Sequence, residues 1–130
     1  TEYQVASSLP ITTMTSATFL SKVSLASVAL VGGVYRVGVS YGWNHNGTTS
    51  DFEAQILVNA VQQGEIHKQE PKDATGADPT GSTQRFFTSR VFYLTLAAAA
   101  APVIDLQFRT DLAGTSSSIW EAVIEFWRVT

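Results

Sequence analysis

Gly33-Val34-Tyr35-Arg36-Val37-Gly38-Val39-Ser40-Tyr41-Gly42-Trp43 is the stretch whose reading decides the fold. Side chains alternate across an extended chain. Tyr35, Val37, Val39, Tyr41 and Trp43 therefore share one heavy apolar-aromatic face, and Arg36, Gly38, Ser40 and Gly42 share a nearly bare one. Glycines on one side of a strand let another layer come close. The pattern reads first as a central core strand of a sandwich, and second as a ligand platform built on Tyr41 and Trp43.

The same alternation recurs on both sides of this strand. Upstream, Phe19, Val23 and Leu25 are expected on one face, with Ser21 breaking the row, and Gly32-Gly33 turns the chain into the central strand. Downstream, Asn46-Gly47 is a hairpin signal, because both residues tolerate positive φ. The next strand would place Phe52, Ala54, Ile56 and Val58 inward, with Glu53, Gln55 and Asn59 outward. A short strand is expected around residues 66–68. Further on, Phe92, Leu94 and Leu96 oppose Val91, Tyr93 and Thr95, and Ile104, Leu106 and Phe108 oppose Asp105, Gln107 and Arg109. The last strand sets Trp120, Ala122, Ile124 and Phe126 against Glu121, Val123, Glu125, Trp127 and Val129. No segment repeats the apolar spacing of a helix. The expectation is an all-β, antiparallel β-sandwich of jelly-roll type with about eight strands, an immunoglobulin-like sandwich being the alternative.

The totals bound the function. A chain of 130 residues is one domain large enough to bury a core without staples. Charged residues make up only 15% against 45% hydrophobic, so the surface is short of charge and part of it is expected to be covered by other subunits. A net charge of -3 argues against nucleic acid, and no apolar run is long enough to span a bilayer as a helix. Without cysteine there are no disulfides and no thiolate metal sites. Thr1 is a residue of the kind left after removal of an initiator Met, which would suit a small complete gene product.

Residues 1–18 are rich in Ser and Thr, broken by Pro10, and read as an extended N-terminal arm or edge strand ahead of a sandwich domain at 19–130. Tyr3, Val5 and Leu9 are its anchors, either as a loosely held terminus or as an arm reaching a neighbour. The strand face with Trp127 and Val129 mixes apolar and charged residues, a composition seldom left open to water. Arg109 and Glu125 stand among isolated outward charges that form either a solvated ladder or partner-selecting contacts at a subunit boundary. The interface candidates are thus Tyr3, Val5, Leu9, Trp127, Val129, Arg109 and Glu125.

Chemistry is thinly represented. No Gly-x-Ser-x-Gly elbow occurs. Glu121 and Glu125 on one extended strand would lie about 13 Å apart, too far for a pair of glycosidase carboxylates. His45, His67, Glu65 and Glu70 are of ligand type but lack a metal-binding spacing, so no catalytic residue, metal site or cofactor is assigned. A contact loop or sugar site could draw on Trp43, Asn44 and His45, with Glu70, Lys72 and Asp73 from the long polar loop at 69–83. Tyr41, Tyr93 and Trp127 would supply further stacking surfaces.

The blocks GVYRVGVSYGWNHNGTTSDFEAQ (33–55), HKQEPKD (67–73), QRFF (84–87), FYLTL (92–96), IDLQFRT (104–110) and IWEAVIEFWRV (119–129) together resemble a β-sandwich module of tailed-bacteriophage virion proteins. That resemblance implies a jelly-roll or TNF-like sandwich, commonly trimeric. Such modules serve in a capsid decoration (cement) protein or in a tail fibre or spike. It implies binding to copies of itself and to the major capsid protein or other virion proteins, with a glycan as a further partner for a fibre tip. The implied location is the virion, after synthesis in the host cytoplasm. It supplies no catalytic residues.

Overall fold

A computed structural model describes residues 3–71 and 85–130, so Lys72 and Asp73 lie outside the described residues. Ten strands and no helix are found among them: β1 (Tyr3–Ser8), β2 (Thr12–Met14), β3 (Leu20–Ala26), β4 (Gly33–His45), β5 (Phe52–Val58), β6 (Val61–Gln62), β7 (His67–Gln69), β8 (Phe86–Leu96), β9 (Val103–Thr110) and β10 (Ser117–Arg128). The first sheet has the order β1-β10-β4-β8, with β2 also on β10; the second has the order β3-β9-β5-β6, with β7 on β5. All pairings are antiparallel.

The long strands β3, β4, β5, β8, β9 and β10 do not pair with the long strand next to them in sequence. They fall in the second, first, second, first, second and first sheet in turn. This alternation between layers makes the domain a jelly-roll β-sandwich. The expected fold class holds, with ten strands instead of about eight. It also corrects the hairpin expected at Asn46-Gly47. Chain segment 46–51 crosses from one sheet to the other, tied by Asn46 N–H to the Ser116 carbonyl (3.0 Å) and Ser116 N–H to Asn46 Oδ1 (2.7 Å). The two-residue hairpin falls at Asn59-Ala60, between β5 and β6, where φ is 50° and 66°.

The inward row of β4 is the core. Tyr35, Val37, Val39, Tyr41 and Trp43 are buried, facing Phe52, Ala54 and Ile56 of β5 and Ile104, Leu106 and Phe108 of β9. Tyr35 stacks on Phe126 (centroids 4.8 Å apart), and Trp43 lies between Phe52 (4.7 Å) and Phe86 (4.6 Å). Each such side chain contributes roughly 1.5–3 kcal/mol by burial. The polar tips are satisfied, as burial of an aromatic handle requires. Tyr35 donates to the Val31 carbonyl (2.8 Å), and Trp43 Nε1–H to Thr88 Oγ1 (3.1 Å).

Two bulges change the faces read from simple alternation. In β10 the register shifts between Trp120 and Val123, and Glu121 takes φ 47°. One extra residue moves every side chain before it to the other side. Ile119 therefore fills the inward position opposite Trp43, while Trp120, expected inward with Ala122, Ile124 and Phe126, turns outward opposite Gly42. In β3 a shift between Ser21 and Val23 leaves Val23 and Leu25 inward. Phe19, expected beside them, instead lies under the Arg109 guanidinium (4.2 Å).

Candidate functional site

Four of the residues that pointed to an interface, Tyr3, Val5, Glu125 and Trp127, come together on the outer face of the first sheet. Residues 3–8, read as an arm or edge strand, form edge strand β1 on β10, with Tyr3 opposite Trp127 and Val5 opposite Glu125. Crossing the sheet from β1 through β10 and β4 to β8 gives successive rows. The first is Tyr3, Trp127, Arg36, Tyr93; the second Val5, Glu125, Gly38, Val91; the third Ser7, Val123, Ser40, Ser89. A fourth row, on the far side of the bulge, is Trp120, Gly42, Phe87. The bare side of β4 is thus the floor of a trough whose walls are β10 and β8, roughly 10 Å apart at two strand spacings.

The trough's rim is apolar and open. Tyr3 is 54% exposed, Val5 53%, Tyr93 64% and Phe87 68%, and Val91 is exposed beside them. Gly38 leaves a gap in the floor, since a Cβ there would meet nothing within 4 Å. Arg36 places its guanidinium 4.6 Å over the Trp127 ring, and Tyr3 packs on the same ring at 6.4 Å. Glu121 and Glu125 form no side-chain hydrogen bond or ion pair with any described residue. Leu9 is exposed at the bulge end, where its carbonyl accepts the Glu121 N–H (3.0 Å), and Val129 is exposed beyond the other end.

Arg109 is not part of this constellation. It lies on the outer face of the second sheet, where its Nε donates to Glu53 (2.6 Å) across β9 and β5. Glu53, expected outward, is only 4% exposed, because Arg109 and Lys68 (3.2 Å) close over it. The Glu53 carboxylate in turn holds the Lys68 ammonium above its ordinary pKa, with Asp51 adding to the effect.

The contact loop proposed from Trp43, Asn44 and His45 is corrected. All three are buried, because β4 runs on to His45 and pairs there with β10 at Ser117 and Ser118. A buried indole in the core offers no stacking platform, and Tyr41 is buried likewise. His45 is clamped between Ser117 Oγ at Nδ1 (2.8 Å) and Ser50 Oγ at Nε2 (2.7 Å). Gly47 permits this clamp, since a Cβ there would overlap Ser50 Oγ. Burial pushes the imidazole below its usual pKa, against the opposing pull of Asp111 and Asp51. His67 bonds Tyr41 Oη through Nδ1 (2.6 Å) and Gln69 through Nε2 (3.0 Å); it too is lowered by burial, while burial raises the Tyr41 phenol. Glu70 is exposed just past β7. Among the described residues no three His, Asp or Glu side chains are grouped to hold a metal ion.

Alternation alone did not single out Phe87 or reveal that Trp120 faces it. The two rings meet edge to face at 6.2 Å and 88° across Gly42. A Cβ on Gly42 would overlap the Trp120 indole and crowd Phe87, so that glycine is what lets the rings lie over the strand.

No protein-family model matches the sequence, and no curated protein does. Solved structures match in shape. The TNF protein Eiger from S. frugiperda superposes with a TM-score of 0.56 at 9% identity, over 100% of this chain and 94% of that one. A chain from infectious bursal disease virus, Gx strain, gives 0.56 at 8% identity, over 97% of this chain and 32% of that one. A family 16 carbohydrate-binding module gives 0.49 at 9% identity, over 86% and 73%. At such identities the likeness defines the class alone, a jelly-roll β-sandwich domain. None of these structures bears on a tailed-bacteriophage origin.

Proposed function

We propose that the chain is a non-enzymatic virion structural protein. In this reading it is a capsid decoration protein that self-associates, as a trimer, through the outer face of the β1-β10-β4-β8 sheet and binds at capsomer junctions. One observation carries the reading: the apolar rim of Tyr3, Val5, Val91 and Tyr93 around Trp127 is open in a single chain. Faces of that kind mark interaction sites. Arg36 and Glu125 add opposite charges to the same face, a combination that lets one copy complement another. The low share of charged residues supports a surface that is largely covered when assembled. A protein that binds only the assembled shell stabilises it by mass action.

Light scattering coupled to size exclusion gives the first test. The expected mass is three times the 14.0 kDa of one chain. Co-expression with the major capsid protein of the same genome should then yield decorated shells that resist heat better than bare ones. A monomer at all concentrations that leaves shells undecorated sinks the reading.

A further inference from the structure

The trough described above is not uniform along its length. Its Arg36 end is ringed by Tyr3, Trp127 and Tyr93 and suits another protein surface. About 20 Å along β4, its Gly42 end holds a hollow of about 220 Å³ lined by Ser40, Tyr41, Phe87, Thr88, Ser89 and Glu121. We propose that this hollow binds a neutral sugar, one pyranose ring of a glycan.

The argument is chemical. A pyranose has an apolar face of C–H groups and a rim of hydroxyls, so its site needs a flat wall beside small polar groups. Phe87 supplies the wall. The residue is 68% exposed, and the edge-to-face contact with Trp120 across Gly42 fixes the ring's orientation. Ser40 and Ser89 face each other across β4 and β8 and give two hydroxyls able both to donate and to accept. Glu121 adds a carboxylate that accepts from sugar hydroxyls, and such charge-assisted hydrogen bonds are the stronger kind.

Two features narrow the ligand. The volume is below the roughly 300–1,000 Å³ of sites for drug-sized molecules, which fits a single ring. The carboxylate has no cation beside it in the lining, so uronic acids, sialic acids and phosphates are repelled. The bulge itself points to a purpose. Glu121 holds a positive φ that a non-glycine residue adopts at a cost of about 1 kcal/mol, and such strain clusters at functional positions. This inference does not depend on the virion reading, and it leaves the Arg36 end of the face to self-association.

The test is calorimetric titration of the full chain with hexamers of β-1,4-glucose, of N-acetylglucosamine and of mannose. An oligoglucuronate serves as the acidic probe and a chitosan oligomer as the cationic one. Saturable binding of a neutral hexamer is expected, weakened at least about tenfold by Phe87→Ser, a change worth 1.4 kcal/mol. Glu121→Gln should narrow the preference for neutral over acidic sugar, and Val103→Thr, exposed on the second sheet, should leave binding unchanged. Thermal midpoints within a few degrees of the parent confirm that these surface variants fold. The proposal is overturned if no neutral hexamer binds at about 10 mM, if binding survives Phe87→Ser intact, or if chitosan binds more tightly than every neutral hexamer. Light scattering on the same samples reads self-association separately, so a monomer that binds sugar would remove the trimer and keep the site.

Discussion

The two sheets of the sandwich turn very different outer faces to the surroundings. On the second sheet polar groups satisfy one another in a chain that crosses three strands. Ser21 donates to Asp105, Gln107 donates to the other Asp105 oxygen (2.9 Å), and Gln55 donates to Gln107 (2.8 Å). One row further on, Arg109 and Lys68 close over Glu53. On the first sheet the equivalent positions carry Tyr3, Val5, Val91, Tyr93 and Phe87, and the Glu121 and Glu125 carboxylates among them pair with no described residue. Polar groups on one face pair with one another within the chain, and the other face leaves large apolar side chains exposed. The contrast separates residues that hold the monomer together from residues free to do something else.

The largest effect on stability should come from the face whose polar groups are paired. Arg109→Met would leave the nearly buried Glu53 carboxylate with Lys68 as its remaining ion-pair partner. Breaking a buried pair on one side costs about 3–5 kcal/mol. Because Arg109 is itself about a third exposed and Lys68 remains, a loss of about 2 kcal/mol is expected in urea unfolding. A loss below about 0.5 kcal/mol, the range of ordinary surface substitutions, would show that this face is no more self-sufficient than the other.

A smaller effect follows from the buried histidines. Burial holds His45 and His67 below the ordinary imidazole pKa of about 6.5 that they regain on unfolding. As the pH falls through that value the unfolded chain takes up protons that the folded one resists, so stability is lost on the acid side. The midpoint of unfolding should hold above about pH 7 and fall between pH 6.5 and 5. His67→Gln, at the rim of the core, should flatten part of that slope. An unchanged midpoint across this window would mean that the Ser50–His45–Ser117 clamp accepts the proton without penalty.

Much of this fold was legible because β4, β5 and β9 alternate cleanly, and a period of two admits one inward set. The partner of each strand was not legible. Asn46-Gly47 has the chemistry of a hairpin, but local turn chemistry cannot say whether the next strand joins the same sheet, and here it joins the other one. The bulge at Glu121 carries no glycine to announce it, so the reversal of Trp120 lay hidden, and with it the hollow beside Phe87. His45 was misread for a related reason: polar residues after an aromatic strand look like a loop, yet Ser117 and Ser50 give its ring nitrogens buried partners. Part of the open face of the first sheet was readable in advance. Glu125 and Trp127 stood out as a mixed face, and β1 brought Tyr3 and Val5 onto it. Arg109 looked equally isolated in sequence but found Glu53 across the second sheet.

The smallest expected change in stability is also the sharpest test of the contrast between the faces. Val91→Thr combined with Tyr93→Thr puts a strand-compatible β-branched residue at both positions of β8 and removes apolar area from the exposed rim. Neither side chain is in the core, so unfolding of the monomer should shift by no more than about 0.5 kcal/mol. If the open face is an association surface, the same pair should convert the oligomer to monomer in light scattering, because hot spots are aromatic and concentrate at the centre of an interface. A variant that keeps the parent's mass would move the contact off this face. A variant that loses several kcal/mol as a monomer would show that the rim was part of the fold all along.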